Sequence, residues 1–287
     1  YNSKYVKNFK DISNIYILDK YDLGLMLKNI LSINRQKYDY LIILDGKRRS
    51  IFFSLALKAK KKYAILKDFR PYIILKFFFN NYFINSEINS QFNNFSSIIN
   101  YLNIKVPQSI NYYNNYKFKK NTFNKLPKDF TLLHLDEKWF EGYYYNDFRY
   151  MNLNKKNFDK LIKTIKFKFK KKIVLTSGKI DTKQFNEIKK NFFKNTKKNI
   201  FISNKYRNDL IFIDNTDFRD LELIVNRSDV VVCCEGAISH VSNALNKKTY
   251  ALINNLKTAQ FWTNHMRYLK LIKRDNINNV CKQISNL

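Results

Sequence analysis

Apolar positions along this chain fall into short continuous runs that alternate with stretches of helical spacing. Asn14 to Asp19 (NIYILD) reads as a buried strand and Tyr21 to Asn34 as a helix. Tyr38 to Asp45 (YDYLIILD) ends in an apolar run stopped by Asp45 and Gly46, the pattern of a parallel strand covered on both faces. Ser50 to Lys60 has helical spacing, and Tyr63 to Leu66 is a short strand. Lys67 to Tyr101 is weaker, aromatic-rich and partly helical. Asn103 to Asp129 carries Pro107 and Pro127 without periodicity and is the linker candidate. After it the alternation restarts. Strands are predicted at Phe130–Asp136, Lys172–Gly178, Asn199–Ser203, Leu210–Asp214, Asp229–Glu235 and Thr249–Asn254. Helices are predicted at Asn157–Lys170, Thr182–Asn195, Phe218–Arg227, Ala237–Leu245 and about Asn276–Ile284.

Strands alternating with helices imply βαβ units and parallel sheets. Two such stretches around a polar linker imply an α/β protein of two doubly wound domains, residues 1–115 and 125–287. In that architecture ligands sit beyond the carboxyl ends of strands, beside the next helix start. The residues just after each strand are therefore the candidates for chemistry.

Composition narrows the picture further. With 45% hydrophobic and 16% aromatic residues in 287, the chain can bury a core and does not have the makeup of a disordered one. No apolar run approaches the ~20 residues of a bilayer span. The net charge of +30, from 53 basic and 23 acidic residues, suggests nucleic acid, an anionic membrane surface or an acidic substrate. Lys outnumbers Arg about four to one, however, and Asn, Ile, Phe and Tyr are abundant while Gly, Pro and Ala are scarce. AT-rich codons explain that set, and anion readers favour the arginine fork. Nucleic acid is disfavoured. Cys233, Cys234 and Cys281 are too few and too badly spaced for a disulfide framework or zinc site. The start carries no signal segment, which points to the cytoplasm.

Four strand ends carry candidate chemistry. In Asp229 to Leu245 (DVVVCCEGAISHVSNAL) a buried strand meets Glu235, then Gly236, then a helix opening at Ala237. The N–H groups of Gly236, Ala237 and Ile238 would face an anion at the positive helix end. Glu235 could accept from a sugar hydroxyl, and His240 lies one turn in. His134 to Gly142 (HLDEKWFEG) places Lys138 where an ammonium can meet a phosphate, with Trp139 to anchor the loop. Asp45 to Ser50 (DGKRRS) sets Lys47, Arg48 and Arg49 at a helix start, suited to an acidic acceptor. Ser177, Gly178 and Lys179 form a fourth wall. No Walker loop, GxGxxG, HExxH or GxSxG motif is present.

The segment Thr216 to Leu245 resembles the donor-binding region of family-9 glycosyltransferases, the lipopolysaccharide heptosyltransferases. Their D-[TS]-G-x-x-H-x-x-x-A-L pattern is similar to Glu235-Gly236-Ala237-Ile238-Ser239-His240 through Ala244-Leu245. Asp136-Glu137-Lys138-Trp139 looks like that family's K-[RH]-W loop, and Tyr38 to Ser50 resembles its "YDLVIDLQG…RS" stretch. The resemblance implies a GT-B-like fold: two Rossmann-like domains with an interdomain cleft, acceptor on the first and donor on the second. It implies Lys138 neutralising a diphosphate, Gly236, Ala237 and Ile238 cradling it, and Thr216, Glu235 and His240 lining the donor pocket. It also implies metal-independent sugar transfer from a nucleotide-sugar substrate, ADP-heptose being the candidate, without a cofactor or metal. The acceptor would be a glycolipid or polysaccharide of envelope or lipopolysaccharide assembly, met by a cytoplasmic protein with peripheral contact to the anionic inner membrane. Glu235 stands where the family has Asp, and Asn254 to Trp262 replaces its GPT loop. The family's first strand and Gly-Asp segment have no counterpart, so the base is expected upstream of Tyr1 and no catalytic residue is assigned. The rival readings are a basic nucleic-acid-binding protein and a sugar-nucleotide-binding homologue without catalysis.

Overall fold

A computed structural model describes residues 6–7, 9, 11–17, 21–66, 77–84, 90–105, 126–140, 151–197 and 199–287. Most of the linker candidate Asn103–Asp129, and much of the Lys67–Tyr101 stretch, lie outside the described residues. The chain divides into two compact units. One comprises residues 1–110 and 260–265, the other 111–259 and 266–287.

In the first unit, helix α1 (Leu23–Asn34) is followed by β1 (Tyr40–Ile43), α2 (Arg48–Leu55), β2 (Lys61–Leu66), β3 (Asn81–Ile84) and α3 (Gln91–Tyr101). The three strands pair in parallel in chain order. Alternate β2 residues serve opposite faces. Ala64 and Leu66 join Ile43, Ile51 and Phe79, while Tyr63 and Ile65 join Ile98. β2 is thus covered on both faces, but β1 is not, which corrects the expectation for Tyr38–Asp45: β1 is an edge strand among the described residues, and Tyr40, Ile42 and Leu44 are 50%, 39% and 48% exposed. Residues 14–17 of the expected first strand are irregular, and its last two lie outside the described residues. The helix expected from Ser50 to Lys60 starts earlier and ends at Leu55, because the chain turns at Ala56 and Leu57 to reach β2.

The second unit runs β4 (Phe130–Leu135), a short 3-10 turn (Glu137–Trp139), α4 (Lys155–Phe169), β5 (Lys172–Ser177), α5 (Lys183–Phe192), β6 (Phe193–Lys197), β7 (Ile200–Ser203) and β8 (Arg207–Ile213). It continues with α6 (Phe218–Arg227), β9 (Val230–Cys234), α7 (Ala237–Ala244), β10 (Lys248–Ile253), the first half of α8 (Leu256–Thr263), whose residues 260–263 belong to the first unit, β11 (Leu269–Lys273) and α9 (Ile277–Ser285). Side chains of Asn154, Thr182, Asp217 and Asn276 cap α4, α5, α6 and α9 by accepting from backbone N–H groups three residues on.

The sheet order is β11-β10-β9-β4-β5-β8-β7-β6. Its larger part is the expected parallel sheet. β11 through β8 are parallel, but β8 with β7 and β7 with β6 are antiparallel. The helix expected to reach Asn195 stops at Phe192. Phe193 takes extended backbone and leads into the β6–β7 hairpin, where Asn199 has φ 61°. Helix α8 and strand β11 are elements beyond those expected. The strand β4 is buried at every position, and its side chains join α4, α5 and α9 in one core.

Phe158 of α4 packs edge-to-face on Phe192 at 5.0 Å and Phe193 at 6.2 Å, which fixes the helix-to-strand junction. Fully buried, it should cost about 3–5 kcal/mol when cut to alanine. Urea denaturation of Phe158→Ala measures this. A loss below about 1 kcal/mol would mean the junction packs loosely.

Candidate functional site

The second unit reverses its strand order beside β4. The chain runs outward through β5 and β8, then returns to place β9 on the other flank of β4. At such a reversal the crossover connections diverge and leave a crevice past the carboxyl ends of the two central strands. The residues after β4 and β9 face that crevice. They are Asp136–Lys138 and Glu235–Gly236.

Their geometry is built locally. Asp136 caps the turn after β4, its carboxylate accepting the Lys138 N–H at 3.1 Å. Trp139, fully buried, donates Nε1 to the His134 carbonyl at 3.0 Å. With the turn fixed at both ends, the Lys138 side chain extends across the crevice, where Nζ donates to the Glu235 carbonyl. On the β9 side, Ser239 closes the corner. Its hydroxyl donates to Gly236 O at 2.7 Å and accepts from Gly236 N at 3.3 Å. The N–H groups of Ala237 and Ile238 then open α7 with no acceptor inside the helix. A Cβ placed on Gly236 would stand 3.4 Å from Lys138 Nζ, so any larger side chain would crowd the ammonium.

Arg274, at the end of β11, completes the charge set. Its backbone N–H donates to Ile253 O at 2.8 Å, and the residue is 8% exposed. Burial lowers its pKa, opposed by Cys234, Asp136 and Glu235. Burial raises Glu235, opposed by Lys138 and Arg274. Asp136 is pushed up to about 6, again by burial and against the pull of Lys138. His134, buried beside Thr176 at 2.9 Å, is pushed down to about 4 and is neutral near pH 7. Burial also raises both thiols of Cys233 and Cys234, which are inert core residues.

Of the residues singled out from sequence, Lys138, Glu235, Gly236, Ala237 and Ile238 come together here, though Ile238 offers only its backbone because its side chain is buried. Thr216 lies just past the end of β8, two strands along the sheet from β4. Its N–H donates to Ser177 O at 2.8 Å and its hydroxyl to Ile213 O at 3.0 Å. Ser177 is likewise engaged, donating to Asp214, which also pairs with Lys189. His240 is exposed one turn into α7. In the first unit Lys47, Arg48 and Arg49 are exposed at the start of α2. Asp45 shapes that loop by accepting from Lys47 N at 3.1 Å and Ser50 Oγ at 2.8 Å, after Gly46 at φ 59°. Arg274 and Ser239 are the site residues that sequence reasoning missed. The alternating LKLIK of β11 signals a strand end before Arg274, and Ser239 is third in its helix, a capping-box position.

No protein-family model matches the chain, and no curated protein matches it in sequence. Solved structures do. A family-9 glycosyl transferase from Veillonella parvula aligns at TM-score 0.65 and 10% identity, over 99% of this chain and 84% of that one. The E. coli heptosyltransferase WaaC with ADP-2-deoxy-2-fluoro heptose aligns at 0.62 and 10%, over 93% and 78%. A UDP-GlcNAc 2-epimerase from Methanocaldococcus jannaschii aligns at 0.53 and 14%, over 92% and 74%. The chain thus has a GT-B-like α/β fold. Its resemblance to the family-9 heptosyltransferases is matched by a likeness of fold.

The raised Asp136 makes stability depend on pH. A carboxyl that binds its proton more tightly when folded contributes most below its ordinary value near 3.8, and loses that contribution as pH rises through about 6. Asp136→Asn keeps an oxygen for the Lys138 N–H. Above about pH 7 it should therefore be more stable than wild type, by up to about 3 kcal/mol, with the gain gone by about pH 4. Thermal melts of both proteins across that range test this. A difference independent of pH would contradict it.

Proposed function

We propose that the crevice between β4 and β9 holds the diphosphate of a nucleotide sugar and that the chain is a glycosyltransferase. One observation carries the reading. The Lys138 ammonium lies against the Gly236 corner, at the N-terminus of α7, where the strand order reverses. A lysine, helix-start amides and the buried Arg274 offer a diphosphate two cations and oriented N–H donors. That WaaC and a family-9 transferase share the fold, and that WaaC was solved with an ADP-sugar analogue, supports the same ligand class.

The chemistry would be displacement at the anomeric carbon. An acceptor hydroxyl attacks and gives up its proton while the bond to the diphosphate oxygen breaks. Charge growing on the departing nucleoside diphosphate is met by Lys138, Arg274 and the α7 amides, already in place before the reaction. Protein cations in this role make the transfer metal-independent. Glu235 and His240 would meet sugar or ribose hydroxyls, and Thr216 would border the donor from the end of β8. Lys47, Arg48 and Arg49 would take an anionic acceptor. The finer reading is a heptose-like sugar passed from an ADP donor to a lipopolysaccharide or other envelope acceptor in the cytoplasm.

Calorimetric titration of nucleoside diphosphates and their sugar conjugates, with chelator present, tests the donor site. Lys138→Ala should weaken binding roughly 10- to 100-fold through one lost charge-assisted contact. Gly236→Val should abolish close approach while leaving the sheet folded. Together the two should be less than additive, because both act on the same phosphates. If wild type binds none of these compounds, the donor reading fails. If it binds them but Lys138→Ala is silent, Lys138 is only a surface lysine.

A further inference from the structure

The corner around Lys138 is balanced in charge as it stands. Lys138 and Arg274 supply two positive charges, and Asp136 and Glu235 supply two negative ones when both are ionised. Each carboxyl feels both cations, and Arg274 feels both carboxyls. A nucleotide sugar carries one negative charge on each of its two phosphates. Setting that ligand into the corner leaves an excess of negative charge where water screens poorly. Binding a proton relieves it.

Asp136 is placed to take that proton. Its Oδ1 already accepts from the Lys138 N–H at 3.1 Å, which leaves Oδ2 to carry it. Glu137, next on the turn, favours protonation, while Lys138 and Arg274 oppose it. On β9, the thiols of Cys233 and Cys234 feel Asp136 but are held uncharged by burial. His134, two residues back on β4, is neutral near pH 7. Of the charges around it, only the two cations hold Asp136 ionised, and those are the two that a diphosphate engages. Its pKa already stands at about 6 without a ligand, so a rise of little more than one unit crosses neutrality. Glu235 is the weaker candidate, because it stands beside the positive start of α7, which favours its ionised form. We propose that Asp136 binds a proton as the diphosphate enters, so that donor binding is coupled to pH. The inference rests on the crevice being the donor site. By reciprocity, a ligand that tightens the hold of Asp136 on its proton itself binds more tightly when that proton is present. Affinity is then highest below about pH 6 and falls as pH rises through the higher pKa of the complex.

The test is calorimetric titration of the full chain with ADP-glucose and with UDP-glucose, whose diphosphates keep their charge between pH 6 and pH 8. Wild type should bind about ten-fold more tightly at pH 6 than at pH 8. At pH 7, titration in buffers of different ionisation enthalpy should show an uptake of about half a proton. Asp136→Asn keeps an oxygen for the Lys138 N–H and carries no charge, so it stands in for the protonated state. It should lose both the slope and the uptake, and at pH 8 it should bind about ten-fold more tightly than wild type. Loss of a merely structural cap would not give that gain. Glu235→Gln should keep the slope. Binding by wild type without proton uptake overturns the inference and leaves the donor reading intact. So does Asp136→Asn binding more weakly than wild type at every pH. A slope that survives Asp136→Asn and vanishes in Glu235→Gln gives the proton to Glu235 and overturns it too. If neither sugar nucleotide binds at any pH, the donor reading itself fails, and this inference with it.

Discussion

The reversal of strand order beside β4 is the constraint on which the rest depends. Because the chain winds outward through β5 and β8 before restarting at β9, the ends of β4 and β9 must lie side by side. Residues 97 positions apart, Lys138 and Glu235, become neighbours by topology alone. Everything chemical at the crevice follows from what the sequence places after those two strands. After β4 it places a capped turn with a lysine, pinned by a buried tryptophan. After β9 it places a glycine and a helix start, closed by a serine.

Electrostatics then decides how that corner can behave. Two cations, Lys138 and Arg274, stand among two carboxyls, Asp136 and Glu235, in surroundings dry enough to raise both acids. Lys138 donates to a neutral carbonyl rather than to a carboxylate. Giving up that bond costs less than breaking an ion pair, so an arriving phosphate can take the ammonium over. Around the rest of the unit, lysines pair with Asp159, Asp209, Asp214 and Asp229 and keep substantial solvent exposure. Pairs of that kind contribute little to stability. They fit a lysine excess set by composition more than by a partner.

Much of this was legible in sequence. Apolar runs at β4, β5, β9 and β10 are buried on both faces, whereas the similar run at β1 leaves Tyr40 and Ile42 exposed because that strand lies at a sheet edge. The Glu235–Gly236–Ala237 corner and Lys138 were legible for a related reason, since strand, break and helix follow one another directly. What escaped were elements without a strong period. The FKNTK of β6 reads as more helix after Phe192, and only its pairing with β7 makes it a strand. Helix α8 is eight residues, capped by Asn255 through Thr258 N at 3.1 Å, and lies in a stretch read as a loop. Arg274 was one cation among 53, and only burial at the end of β11 distinguishes it.

The central claim is that the β4–β9 crevice is a diphosphate site. A crystal structure of the chain with a bound nucleoside diphosphate tests it most directly. Phosphate oxygens should lie within hydrogen-bond reach of Lys138 Nζ and of the Ala237 and Ile238 N–H groups, at roughly 2.7–3.2 Å. Lys138 should have left the Glu235 carbonyl. A diphosphate bound elsewhere, with Lys138 still donating to that carbonyl, would contradict it.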